Sequence, residues 1–244
     1  PHLVQIMRHN PGMKNIRTSL SASLQSDVTE IVQKQIVELQ KKHIQNAAVV
    51  VIDNATGEVL AHVGSPFFHQ SNSGQIDATR TPRSPGSALK PFTYLLAFEK
   101  GGLTPATIIE DIPTRYSDAR GEKDFVNYNR HHNGPVTIHY SLANSLNVPA
   151  IRTLNSVGGA AALQKTLQDF GITTLTKKPI HYGLGLTLGS GEVTLLELTN
   201  AYASLARMGT HKPVSYLADS HAKEHHVASY SSCWMLAQTM TDNS

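Results

Sequence analysis

From Leu20 onward, apolar residues recur at helical steps. Leu24, Val28, Ile31, Val32 and Leu39 mark one side of a stretch reaching about Lys42, which predicts an amphipathic helix. The pattern then changes. In "NAAVVVIDNATGEVLAHVGSP", β-branched runs at 47–52 and 58–63 flank Asp53-Asn54-Ala55-Thr56-Gly57, which predicts a hairpin. The unbroken apolar character of the first run predicts a strand buried on both faces of a sheet. Residues 65–86, rich in Ser, Asn, Gln, Gly and Pro, read as a long loop. "KPFTYLLAFEKGG" reads as a helix stopped by Gly101-Gly102, with Phe92, Tyr94 and Phe98 as core contacts. Residues 103–136 have little periodicity and many turn formers. "TIHYSLANSLNVPAIRTLNSVGG" predicts two short helices broken near Asn147 and Pro149. "AAALQKTLQDFG" and "EVTLLELTNAYASLARMG" are further helices with glycine stops. Helices outnumber strands, and a hairpin alone makes a marginal sheet, so strand partners are missing from this stretch.

Composition narrows the class without naming a chemistry. The 244 residues are 40% hydrophobic and 16% charged, as in a soluble globular protein. Net charge is +3, and the basic residues (Lys41-Lys42, Arg80, Arg83, Lys177-Lys178) form no stripe interleaved with aromatics, which argues against a nucleic-acid partner. A single cysteine, Cys233, rules out an internal disulfide and a cysteine-built zinc site. No apolar run is long enough to span a membrane, and the N-terminus is no signal peptide. Residues 1–17 read as a linker, with 18–244 as the domain that follows.

The candidate chemistry sits in "RSPGSALKPF". Ser87 precedes Lys90 by three positions, which one helical turn places on the same face. Pro91 leaves the Ser87 carbonyl without its usual partner, so the helix should start irregularly there. A basic lysine has to be neutral near pH 7. Its reference value of ~10.4 has to fall by roughly three, a cost of about 4 kcal/mol, through burial or a cation such as Arg83. Taken alone, the same residues also describe a capping serine and a solvated lysine. A second copy of the spacing, Ser220 to Lys223, lacks the Pro-Gly framing and reads as chance. Ser145-Leu146-Asn147 offers a hydroxyl and an amide two residues apart, suited to a turn facing a cleft or to a plain polar helix terminus.

"RSPGSALKPF", "NYNRHHNGPVTIHYSLANSLNVPAIR" and "GLGLTLGSGEVTLLELTNAYASLARMG" together resemble the transpeptidase domain of class A penicillin-binding proteins, type 1C branch, over roughly residues 18–210. The resemblance implies an α/β fold of the β-lactamase/transpeptidase type: an antiparallel sheet of about five strands flanked by helices, plus an all-helical lobe, incomplete in this chain. It implies Ser87 as nucleophile toward the penultimate D-alanine of a peptidoglycan stem peptide and Lys90 as acceptor of its proton. Ser145 would relay that proton to the departing amine, and Asn147 would bind Lys90 and the substrate amide. Asn127 and Tyr128 fall where the family has a loop over the cleft, as substrate contacts. The implied partners are stem peptides, lipid-linked glycan strands and β-lactams, which would acylate Ser87. No cofactor or metal is implied. The implied setting is the periplasmic face of a bacterial inner membrane, reached through an anchor outside this chain.

One departure stands against these matches. The family's third motif, Lys-Thr/Ser-Gly, is absent, since Lys100-Gly101-Gly102 does not fit it. The expectation is a fragment ending just before the strand that carries this motif, with one oxyanion donor lost and acylation slowed by ~10²–10³. A serine β-lactamase and a non-catalytic penicillin-binding sensor are the alternatives. The first lacks a recognisable glutamate to activate water, and the second sits poorly with Ser87, Lys90, Ser145 and Asn147 all present. Of the 13 histidines, His221, His225 and His226 have metal-like spacing but neither cysteine nor an HExxH-type carboxylate beside them, and read as a solvated segment. Gly183, Gly185, Gly189 and Gly191 have no lysine placed for a phosphate cradle. Glu110-Asp111 reads as an exposed loop pair.

Overall fold

The computed structural model describes residues 1–7, 15–69, 74–118, 121–218 and 223–241. Its helices are α1 (His2–Met7), α2 (Ala22–Leu39), α3 (Lys90–Lys100), α4 (Ile138–Ala143), α5 (Asn147–Ser156), α6 (Gly159–Asp169), α7 (Pro179–Tyr182), α8 (Leu195–Ala206) and α9 (Tyr230–Thr241). Its main strands are β1 (Val49–Ile52), β2 (Val59–Val63), β3 (Ile108–Asp111), β4 (Thr114–Asp118), β5 (Gly121–Phe125) and β6 (Gly134–Thr137). The architecture is α/β, with small antiparallel sheets and flanking helices. Two compact units divide the chain. One comprises Pro1–Arg83, Val193–Arg207 and His211–His225, the other Ser84–Glu192, Met208–Thr210 and His226–Ser244.

In the first unit, β1 and β2 form the expected antiparallel hairpin, with Val49 opposite Val63. Its turn is closed by Asp53, whose Oδ1 accepts from Thr56 N at 2.7 Å and Thr56 Oγ1 at 3.0 Å, while Gly57 takes φ +80°. Helix α2 packs on β2 and α8 on β1. The first strand is not buried on both faces as its apolar run suggested. All four β1 residues are half-buried, and among the described residues β1 pairs with β2 alone; β2 is the deeper strand, with Val59 and Ala61 at 0% exposure. The segment 1–17, expected as linker, includes α1, whose His2 is buried and bonds through Nε2 to the Gly74 carbonyl at 3.1 Å.

The second unit is built around α3, in which every residue from Lys90 to Phe98 is buried. A helix apolar on all sides belongs in a core, and α4, α5, α6 and α9 surround this one. Phe92 meets Phe170 edge-on at 5.4 Å between centroids, and Thr93 Oγ1 bonds Thr187 Oγ1 at 2.7 Å. Residues 103–136 are more ordered than their pattern promised. β3 pairs with β6, and β4 with β5, both antiparallel. Helix α9 is a further element that the apolar pattern did not announce. The serine of the second Ser-x-x-Lys copy, Ser220, and His221 lie outside the described residues.

Candidate active site

Ser87 stands in a 3₁₀ turn, Gly86–Leu89, that runs directly into α3. Pro91 has no N–H to offer the Ser87 carbonyl, which accepts from Lys90 N instead. That i to i+3 bond is the 3₁₀ pattern, in which positions three apart eclipse. The irregular start expected from Pro91 therefore aligns Ser87 and Lys90 on one side. Ser87 is exposed; Lys90 is 0% exposed.

Behind the turn the backbone is held by an unusually close approach. A Cβ on Gly189 would lie 2.3 Å from Gly86 N and 2.6 Å from Gly86 Cα, and Gly189 has φ +88°. Ser84 Oγ donates to the Gly189 carbonyl at 2.7 Å. Only glycine admits this contact.

Opposite stand the two short helices that the sequence predicted, α4 and α5, with the break at 144–146, just before Asn147, and with Pro149 in the first turn of α5 rather than at the break. Ser145 takes φ +51°, a conformation that costs a non-glycine residue on the order of 1–3 kcal/mol and concentrates at functional sites. The turn delivers both oxygens of Ser145 to one cation. Lys90 Nζ donates to the Ser145 carbonyl, to Ser145 Oγ at 3.1 Å and to Asn147 Oδ1 at 2.8 Å. Three acceptors satisfy the three hydrogens of an ammonium. Burial still penalises its charge and draws its pKa down to about 8. Burial is the whole cause, in place of the cation Arg83 that the sequence offered. The Lys90 and Ser87 side chains are not hydrogen-bonded to each other: the Lys90 ammonium donates to Ser145 and Asn147.

Asn127 is placed differently from its expected role as a substrate contact. It is 2% exposed and its amide is committed within the protein. Oδ1 accepts from Asn147 N at 2.8 Å and Val148 N at 3.2 Å; Nδ2 donates to both oxygens of Asp111, at 2.8 and 2.9 Å, and to the His131 carbonyl at 2.8 Å. Tyr128, next to it, is fully exposed. Asp111 is the residue that sequence reasoning missed. It is fully buried, unlike its neighbour Glu110, which pairs with Arg152 at 2.6 Å. Strand alternation sends adjacent side chains to opposite faces, and burial chose one of them.

A family model, the penicillin binding protein transpeptidase domain, matches residues 47–243. The chain belongs to this family. Among relatives of this transpeptidase-family domain, penicillin-binding protein 1C of Escherichia coli K12 is 30% identical over 243 residues, covering 99% of this chain and 31% of its own. Penicillin-binding protein 1A of Aquifex aeolicus is 38% identical over 165 residues, covering 67% of this chain and 22% of its own. The chain thus spans under a third of the length of these curated relatives. Among solved structures, the penicillin-binding protein PonA1 from Mycobacterium tuberculosis superposes with a TM-score of 0.76 at 18% identity, covering 98% of this chain and 67% of the other. A peptidoglycan glycosyltransferase from Burkholderia ambifaria gives 0.72 at 18% identity, over 91% and 72%. These two establish the shared fold.

Proposed function

We propose that this domain is a serine D,D-transpeptidase that crosslinks peptidoglycan stem peptides and is acylated by β-lactams. The observation that carries the reading is a wholly buried lysine, with its pKa at about 8, bound to Ser145 and Asn147 one 3₁₀ turn past an exposed serine. With that pKa, roughly a tenth of Lys90 is neutral at pH 7. A neutral amine has two hydrogens and one lone pair, so it releases one of its three acceptors and can accept from a hydroxyl.

In the proposed reaction, Ser87 Oγ attacks the carbonyl carbon of the penultimate D-alanine while Lys90 takes the hydroxyl proton. The C–O bond forms and the C–N bond to the terminal D-alanine breaks. The proton passes from Lys90 through Ser145 Oγ, 3.1 Å away, to the departing amine. An amine of a second stem peptide then displaces Ser87, yielding the crosslink; attack by water would make the product of a carboxypeptidase. Asn147 holds Lys90 through Oδ1, and its Nδ2 donates to the Val126 carbonyl at 3.0 Å. Tyr128 is proposed as a substrate contact from the rim. Stem peptides and lipid-linked glycan strands place the reaction on the extracytoplasmic face of the membrane. Among the described residues no helix is long and apolar enough to cross one.

These 244 residues contain no Lys-Thr/Ser-Gly, so a second oxyanion donor from that motif is not supplied by them, a loss of ~10²–10³ in rate. The chain incubated with a fluorescent penicillin is expected to label slowly, with the adduct on Ser87 by peptide mass spectrometry, and Ser87→Ala not to label. An adduct on another residue, or on Ser87→Ala, overturns the mechanism. Fast stoichiometric labelling overturns only the impairment.

A further inference from the structure

We propose that Asp111 is a positioning residue for the active-site lysine, acting through Asn127 and the first turn of α5. The inference rests on Lys90 being the base, but its evidence is independent of acylation. Helix α5 begins without a cap of its own: Leu146 occupies the N-cap position and has no side-chain acceptor. A helix start leaves its first amides unpaired, and an uncapped start costs about 1 kcal/mol. Asn127, twenty residues upstream, fills the gap by taking the N–H groups of Asn147 and Val148 on one oxygen. An amide can do this only if its oxygen, not its nitrogen, faces the helix.

Asp111 fixes that choice. At the end of β3, with both carboxylate oxygens buried, it offers acceptors only, so the Asn127 NH₂ must turn to it and the Asn127 oxygen must turn to α5. Asn133 locks the carboxylate from the other side, through N at 2.9 Å and Nδ2 at 2.7 Å, and His132 Nδ1 stands 3.5 Å from Oδ1. Burial works to raise the pKa of Asp111, but the hydrogen bonds from Asn127 and Asn133 outweigh it and hold the group ionised. The strut then runs without a break: Asp111 orients Asn127, Asn127 caps α5, and the first residue of α5 holds Lys90 Nζ at 2.8 Å.

The polarity of the pair supplies the test. Asp111→Asn keeps the shape but sets an NH₂ against the Asn127 NH₂, and Asn127→Asp sets two carboxylates face to face. The double variant Asp111→Asn/Asn127→Asp restores the donor–acceptor match between the two side chains, at the loss of the bond from Asn127 Nδ2 to the His131 carbonyl, and leaves a carboxylate oxygen on the positive end of α5, where it is favoured. The readout is the NMR titration of Lys90 in lysine-labelled protein. The wild-type midpoint is expected at about 8, drawn down by burial. Each single variant loosens the Asn147 wall, hydrates Lys90 and raises the midpoint by roughly one pH unit or more; the double variant returns it to the wild-type value. Single variants that melt lower yet titrate like the wild type would assign Asp111 to the scaffold alone and overturn the proposal. Should the single variants not fold, the double variant decides. Folding with a wild-type midpoint supports the strut, and an altered midpoint or failure to fold overturns it. Because the titration needs no Ser87 adduct, failure of the strut and failure of the proposed acylation are separable.

Discussion

At the scale of the residue, the site turns on the protonation of one amine. Burial lowers the pKa of Lys90 to about 8, so the neutral fraction grows tenfold per pH unit below that value and saturates above it. Acylation of Ser87 by a β-lactam is therefore expected to rise with pH and level off near 8. Lys90→Arg, unable to deprotonate in this range, should flatten that limb and lower the rate by at least about a hundredfold. A full rate retained by the arginine variant would remove Lys90 from the role of base. Much of this was legible in the residues. Ser87 and Lys90 lie three positions apart and share a turn, and the break before Asn147 is written in "SLANSLNVPA". The bond from Lys90 to Asn147 was expected from the resemblance; what the sequence did not disclose is that the same amine takes both oxygens of Ser145 rather than reaching back to the Ser87 hydroxyl. That distinction depends on the left-handed backbone at Ser145, which no local propensity announces.

At the scale of the element, the turn carrying Ser87 is shaped as much by the segment behind it as by α3. Gly189→Ala would drive a methyl to within 2.3 Å of Gly86 N while straining a φ of +88°, so Gly86 and the serine after it must shift. Gly86→Ala has open space and only the strain of φ +57°, about 1 kcal/mol. The expected contrast is a tenfold or greater loss of acylation for Gly189→Ala, and a nearly unchanged rate for Gly86→Ala despite a small drop in melting temperature. Equal rates in the two variants would show that the contact does not position Ser87. Elements with a buried apolar face were readable from their period, as α3, α6, α8 and the β1–β2 hairpin show. The β4–β5 ribbon was not. "TRYSD" and "GEKDF" carry almost no apolar alternation, and their pairing is marked by exposed charge: Arg115 bonds Asp124 at 2.6 Å and Glu122 at 3.2 Å across the strands. Periodicity detects burial, and a solvated ribbon has little to detect. Asp111 escaped for the converse reason, being a carboxylate buried because three donor groups, Asn127 Nδ2 and the Asn133 N and Nδ2, were waiting for it.

At the scale of the whole molecule, each compact unit contains a buried or half-buried carboxylate held ionised by neighbours, Asp77 in one and Asp111 in the other. Burial opposes the charge of Asp77. Hydrogen bonds from His62 Nε2 at 3.0 Å and Thr79 Oγ1 at 2.6 Å win, and its pKa falls to about 2. Tyr216 steadies the same histidine, its hydroxyl 2.9 Å from His62 Nδ1. An unfolded chain takes up a proton at Asp77 near an ordinary ~3.9, whereas the folded chain resists until about 2. Between those values the unfolded state binds more protons, so stability falls as pH drops through this window and is fully present above it. Urea midpoints measured from about pH 5 down to about 2 should therefore decline for the wild type. Asp77→Asn should start lower at neutral pH, having lost charged hydrogen bonds, yet decline less steeply, with the remaining slope owed to Asp111 and other carboxylates. Parallel slopes for the two proteins would mean that Asp77 does not carry its charge into the fold on the strength of His62 and Thr79.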